Sequence, residues 1–116
     1  MLKTIHTICT YLIIGLGVLH LLFTFHDYDA FTLRALWFAS AGFAIMFAGF
    51  LNLILIRLSR KETLVRTLCV IANVICASLF GAALWLMQQP QVFIGVLLFT
   101  VATIAALVAP QQSARN

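Results

Sequence analysis

Apolar residues occupy four long runs along this chain, and short polar breaks separate the runs. The runs cover about residues 4–25, 32–57, 64–87 and 91–109, and the breaks read HDYD, RLSRKE and QQPQ. A helix needs about 20 apolar residues to cross the hydrocarbon core of a membrane. Each run has a length of that order, so the pattern predicts four membrane-spanning helices.

The composition agrees with a chain that lies mostly in lipid. Of its 116 residues, 64% are hydrophobic and 9% are charged, and the mean hydropathy is +1.12. We predict an all-α integral membrane bundle of four helices that forms a single domain over residues 1–116. The first run is interpreted as a spanning helix rather than a signal peptide, because its apolar segment is longer than a signal core.

The basic residues predict the orientation of the bundle. Six of the seven Lys and Arg residues lie near the two chain ends or around the middle loop, and Arg34 lies beside another loop. An even number of spans puts both termini and the middle loop on one side, which the positive-inside rule makes cytoplasmic. We expect both termini in the cytoplasm, a bacterial inner membrane as the location, and the lipid bilayer rather than nucleic acid as the partner of the positive charge.

Small residues recur along the second and third runs. They are Gly42, Ala44, Ala48 and Gly49 in the second and Ala77 and Gly81 in the third. In lipid, small residues at helical spacing let two helices approach closely, so we expect the second and third helices to pack against each other along them. Asn52 and Asn73 lie at similar depths, counted from Arg57 and Arg66, and are expected to hydrogen-bond across this pair. The alternative is that both amides face a ligand or an ion.

A line of mostly polar or small residues runs along one face of the first helix. Its members are His6, Thr10, Ile13, Gly17, His20, Thr24 and Asp27. The other faces carry Leu, Ile, Val and Phe, so this face should turn toward the bundle or a partner chain. His20 is interpreted either as part of a proton or substrate pathway or as a structural group bonded to a carbonyl or to Ser40. For His6, close to the headgroups, we expect an interfacial role.

The leading functional hypothesis is a non-enzymatic protein, working as a homo-oligomer, that binds or translocates a small molecule or ion. The candidate lining residues are His20, Thr24, Asp27, Ser40, Asn52 and Asn73. The rival hypothesis is an accessory or assembly subunit of a larger membrane complex. The sequence has no Gly-rich phosphate loop and no Ser-His-Asp arrangement, so it contains no recognisable motif for hydrolysis or phosphoryl transfer.

A third hypothesis is a haem- or quinone-binding redox protein. His6 and His20 lie 14 residues apart, about 21 Å along one helix face, which resembles the spacing of stacked haem ligands in membrane b-type cytochromes. The other helices carry no histidine, so haem ligation would need a dimer, and no cofactor is predicted for the single chain. No metal site is predicted either, because His26, Asp27 and Asp29 are sequential neighbours that rarely converge on one ion.

The size and four-span layout resemble those of small multidrug transporters and of small dual-topology fluoride channels. Those transporters centre on a glutamate within the first helix, where this chain has neutral groups and His20. The Gly-rich and Arg-containing signatures of the channels are absent from the sequence. The resemblance is therefore limited to size and layout.

Overall fold

The computed structural model describes residues 1–27, 29–58 and 62–108, with the backbone alone for Asp27. Its helices are α1 (Leu2–Asp27), α2 (Leu33–Arg57), α3 (Thr63–Leu86) and α4 (Pro90–Val108). All four are long and apolar enough to span a membrane. They begin and end within two residues of the sequence-predicted bounds, so the prediction of an all-helical chain with four such segments is confirmed.

Local sequence explains where the helices begin and end. The Thr32 hydroxyl accepts a hydrogen bond of 3.1 Å from the Ala35 N–H, which caps the start of α2. Pro90 is the first residue of α4, a position that suits proline because the N–H it lacks would have no partner in the helix. α2 ends at Arg57, where the backbone of the next residue, Leu58, becomes extended while its N–H still donates to the Ile54 carbonyl oxygen.

The four helices form a ring in which each helix packs mainly against two neighbours, and α2 and α4 also touch across the ring. The α1–α2 contact is the most extensive, and the α2–α3 contact is the smallest among the neighbouring pairs. Two core clusters show that adjacent helices run in opposite directions. From the first cluster to the second, the numbering rises from Ala48 to Leu55 in α2, falls from Cys76 to Cys69 in α3 and rises from Ala102 to Ala106 in α4. α1 is antiparallel to α2, because Gly17 meets Gly42 and Ile14 meets Gly49.

This alternation gives the ring two chemically different ends. Lys3, Arg57 and Arg66 lie at the end where α1 and α3 begin and α2 finishes. We call this the basic end. Arg34, in the first turn of α2, lies at the opposite end.

All four helices contribute to one packed core. Its buried members are Cys9, Ile13, Ile45, Ala48, Cys76, Leu98, Phe99 and Ala102. The polar and small face of α1 points into the bundle: His6, Thr10, Ile13, Gly17 and Thr24 are buried and His20 is half-buried. The prediction that this face turns inward is confirmed for these residues.

The predicted partner of Gly42 and Gly49 was wrong, because both glycines of α2 face α1 rather than α3. A Cβ on Gly49 would lie 2.5 Å from Cγ1 of Ile14, and one on Gly42 would lie 3.0 Å from Cγ of Leu21. Gly17 faces them from α1, where its own Cβ would lie 2.9 Å from the Gly42 carbonyl oxygen. Small residues on a helix indicate that another helix packs closely against it, without indicating which one. Here α1 can approach α2 closely because it presents a glycine of its own, Gly17.

The remaining small residues fall into two groups. Ala48 is buried in the core and Ala77 packs beside it. Ala44 and Gly81 are exposed, and a Cβ on Gly81 would meet no heavy atom within 4 Å. The expected contact of Gly81 with α2 is therefore wrong. Gly81 lies eight residues beyond Asn73, so it is turned about 80° from the side of α3 that meets α2.

Candidate functional site: a buried polar cluster

Asn52 and Asn73 form a reciprocal amide pair between α2 and α3. Nδ2 of Asn52 donates to Oδ1 of Asn73 at 2.7 Å, and Nδ2 of Asn73 donates to Oδ1 of Asn52 at 3.0 Å. Both side chains are fully buried. The interhelical hydrogen bond predicted from their matching depths is confirmed.

His6 adds α1 to this pair. Its Nε2 lies 2.9 Å from Oδ1 of Asn52, and the side chain is 2% exposed. The other end of the Asn52 amide donates to the Ala48 carbonyl oxygen at 2.8 Å, so the atom facing His6 is the acceptor oxygen. His6 must therefore carry a proton on Nε2 and donate it. The expected interfacial role of His6 was wrong, because its imidazole lies inside the bundle.

Cys69 completes the group, which we call the polar cluster: His6, Asn52, Cys69 and Asn73. The Cys69 thiol donates to Oδ1 of Asn52 at 3.2 Å and accepts from Nδ2 of Asn73 at 3.6 Å. Cys69 is fully buried. Its side chain therefore combines hydrogen bonding with the packing role typical of a buried cysteine.

The polar cluster ties three helices together at one level. Oδ1 of Asn52 accepts from His6, Cys69 and Asn73, and Nδ2 of Asn52 donates to Ala48 and Asn73. Each amide already has partners inside the bundle, so a ligand would have to displace an existing hydrogen bond to reach it. Hydrogen bonds between membrane helices contribute about 0.6 to 2 kcal/mol each.

Sequence reasoning missed His6 and Cys69 as partners of the two asparagines. A signal was present for His6, because it lies three residues from Lys3 on the inward face of α1. This depth is within about 3 Å of the depth of Asn52 counted from Arg57. Cys69 lies four residues before Asn73, one turn away on the same side of α3.

His20 and Thr24 lie apart from the polar cluster, toward the opposite end. The His20 ring stacks on Phe38 of α2, with ring centroids 3.9 Å apart and planes 16° from parallel. Nε2 of His20 is buried and has no hydrogen-bond partner among the described residues. The Thr24 hydroxyl donates to the His20 carbonyl oxygen at 3.0 Å, within its own helix.

The other predicted lining residues are not brought to either place. Ser40 is exposed, and its hydroxyl donates to the Leu36 carbonyl oxygen at 2.8 Å. The Asp27 side chain lies outside the described residues. In the part of the chain that the structure describes, no three His, Cys, Asp or Glu side chains come together as a possible metal site.

The arrangement also bears on the haem hypothesis. A haem shared between two first helices would need the His6 imidazole at the outer surface of the bundle. In this structure His6 faces Asn52 inside it, so haem ligation would require that hydrogen bond to break.

Comparisons with protein-family models, with curated proteins and with solved structures find no match to this chain.

Proposed function

We propose that this protein is an accessory or assembly subunit of a larger membrane complex, which works by packing against a helix of another membrane protein. It resides in a bacterial inner membrane with both termini in the cytoplasm. The basic end supports this orientation, because Lys3, Arg57 and Arg66 lie there and Arg34 lies at the opposite end. A green fluorescent protein fused to the C-terminus tests it, since fluorescence requires a cytoplasmic C-terminus.

The proposal is based on one face of α2. This face is buried near the basic end and exposed near the opposite end. Asn52 and Leu55 on this face are buried, whereas Ala41 and Ala44 are exposed. Ala41 precedes Asn52 by eleven residues, or about three turns, so both point to the same side of the helix. α3 has no buried residue beyond Cys76, so α3 leaves this side of α2 uncovered around Ala41.

We call the exposed strip formed by Ala41 and Ala44 the open seam. Small side chains at a seam between two helices let a third helix approach their backbones closely, which is how helices associate in lipid. The neighbouring Ser40 hydroxyl is bonded within its own helix. The open seam therefore suits a close packing contact rather than the coordination of an ion.

The interior of the single bundle supports the same choice. Thr10, Ile13, Cys69 and Phe99 are fully buried along it, and the amides of the polar cluster bond to each other. These contacts favour a structural interior, so the surface is where this protein is expected to act.

Native mass spectrometry of protein extracted in a mild detergent tests the proposal. We expect a stoichiometric hetero-complex from wild type and loss of the partner from the variant Ala44→Leu. Ala82→Leu is the matched control, because Ala82 is also exposed and, nine residues beyond Asn73, points away from the bundle at nearly the depth of Ala44. A monomer or homodimer as the only species would count against the proposal, and so would equal loss from both variants.

His20 favours a second candidate function, the binding or translocation of a small molecule or ion by a homo-oligomer. A buried imidazole nitrogen without a partner is costly unless something else bonds to it, and intramembrane histidines often mark substrate or proton pathways. Reconstitution into liposomes tests this candidate by ligand binding or flux. It predicts activity in wild type that His20→Ala abolishes, and absence of both effects would exclude it.

A further inference from the structure

We propose that the basic end binds an anionic phospholipid, whose phosphate lies between Lys3 and Arg57 and whose acyl chain lies along α2. This site is separate from the open seam and does not depend on the partner subunit.

The contact between α1 and α2 brings Lys3 and Arg57 to one level. His6 and Asn52 are hydrogen-bonded and mark a common depth. Lys3 lies three residues from His6 and Arg57 five residues from Asn52, both toward the basic end. At 1.5 Å per residue these steps are about 4.5 and 7.5 Å, so the two residues differ in depth by only about 3 Å.

Helical geometry also turns both side chains to the same side of the α1–α2 pair. Lys3 precedes Leu21 by eighteen residues, which is five full turns, and Leu21 contacts Gly42 of α2. Arg57 follows the fully buried Asn52 by five residues, which turns it about 140° away from the interior of the bundle. Lys3 and Arg57 are both exposed, so two cations flank the outer side of one helix contact.

An apolar surface leads away from this charge. A shallow depression of about 390 Å³, open to the outside, is lined by Leu53, Ile54, Arg57 and Leu58. The membrane-spanning segment of α2 ends at Arg57, which puts the guanidinium at headgroup depth and the apolar part of the depression within the hydrocarbon. A ligand that joins a charged headgroup to an apolar chain fits a surface on which a basic side chain is followed by an apolar depression.

The charge balance at the basic end selects an anionic ligand. Among the described residues there, Lys3, Arg57 and Arg66 outnumber the single acid Glu62. Arg57 presents donors in a fork that fits phosphate oxygens, and Lys3 adds a point charge. A phospholipid with a net negative headgroup is therefore preferred over a zwitterionic one of equal chain length.

Native mass spectrometry with added lipids tests the site. Purified protein in detergent is mixed with equal amounts of phosphatidylglycerol and phosphatidylcholine that carry the same acyl chains, and retained lipids are counted. We expect wild type to retain phosphatidylglycerol preferentially. Arg57→Gln and Lys3→Gln should each lower that retention about fivefold, the factor that corresponds to ~1 kcal/mol for one basic side chain near an anionic membrane surface.

Arg34→Gln is the matched control, since Arg34 is an exposed arginine at the other end of the same helix, and it should leave retention unchanged. Arg57→Lys should keep most of it. Equal retention of the two lipids would overturn the proposal, as would an equal loss with Arg34→Gln. Displacement of the lipid by inorganic phosphate would also overturn it, because that result indicates a site for free anions without a role for the apolar surface.

Discussion

Asn52 and Asn73 exchange two hydrogen bonds, of 2.7 and 3.0 Å, at a level where polar side chains of α1, α2 and α3 meet inside an apolar bundle. In lipid, apolar contact does not favour one helix pairing over another. A directional pair of this kind therefore helps to set which helices meet and at what depth.

Asn52→Leu is expected to lower the free energy of unfolding by about 2 kcal/mol. The substitution keeps the side-chain size and leaves His6, Cys69 and Asn73 without their common acceptor, and buried polar groups that lose a partner cost roughly 1 to 3 kcal/mol. Reversible unfolding in mixed detergent micelles with increasing dodecyl sulfate measures the change.

The double variant Asn52→Leu with Asn73→Leu should lose less stability than the two single losses added together, because it removes both partners. Ser78→Ala is the control, since the Ser78 hydroxyl is exposed and donates to Val74 within its own helix. Unfolding of Asn52→Leu at the same detergent ratio as Ser78→Ala would contradict a stabilising role for the amide pair.

His6→Leu is expected to destabilise the bundle by about 1 kcal/mol more than His6→Gln. The glutamine amide can donate from nearly the position of the imidazole Nε2, whereas leucine cannot donate to Asn52. The same unfolding titration compares the two variants. Nitrogen-15 spectra of wild type should in addition show His6 protonated on Nε2, and an unprotonated Nε2 would contradict the donor role.

Gly17→Ala is expected to destabilise the bundle by about 1 to 3 kcal/mol. A Cβ there would lie 2.9 Å from both the Gly42 carbonyl oxygen and the Met46 nitrogen, and backbone atoms yield only by moving α1 away from α2. Gly15→Ala is the matched control, because a Cβ on Gly15 meets nothing within 4 Å. Equal unfolding midpoints for the two variants would show that α1 and α2 are not in close contact at Gly17.

His20→Phe is expected to maintain or raise the free energy of unfolding, by up to about 1 kcal/mol. Phenylalanine can keep the stacking on Phe38 and removes a buried nitrogen that has no partner among the described residues. His20→Ala loses the ring contact and should be less stable than wild type. If His20→Phe were strongly destabilising, a hydrogen bond of the imidazole would outweigh the ring contact, either its bond with the Phe38 backbone or a bond from Nε2 to a group outside the described residues.

Counting residues from the ends of the helices was enough to predict that Asn52 and Asn73 meet. Asn52 and Asn73 lie at similar distances from Arg57 and Arg66, and a regular helix converts that count into a common level. The same count applied to α1 would have added His6. Cys69 was harder to identify, because a cysteine in an apolar run is typical of packing and its hydrogen bonds depend on two amides from different helices.

The sequence by itself determined the four apolar spans, the charge difference between the two ends of the bundle and the inward face of α1. These features depend on local composition and on the helical repeat, which act within one segment at a time. The tertiary structure decided that Gly42 and Gly49 meet α1, that His6 meets Asn52, and that Ala41 and Ala44 stay exposed. Every helix here is apolar on most sides, so its neighbour is selected by how closely two distant surfaces fit and by a few directional hydrogen bonds.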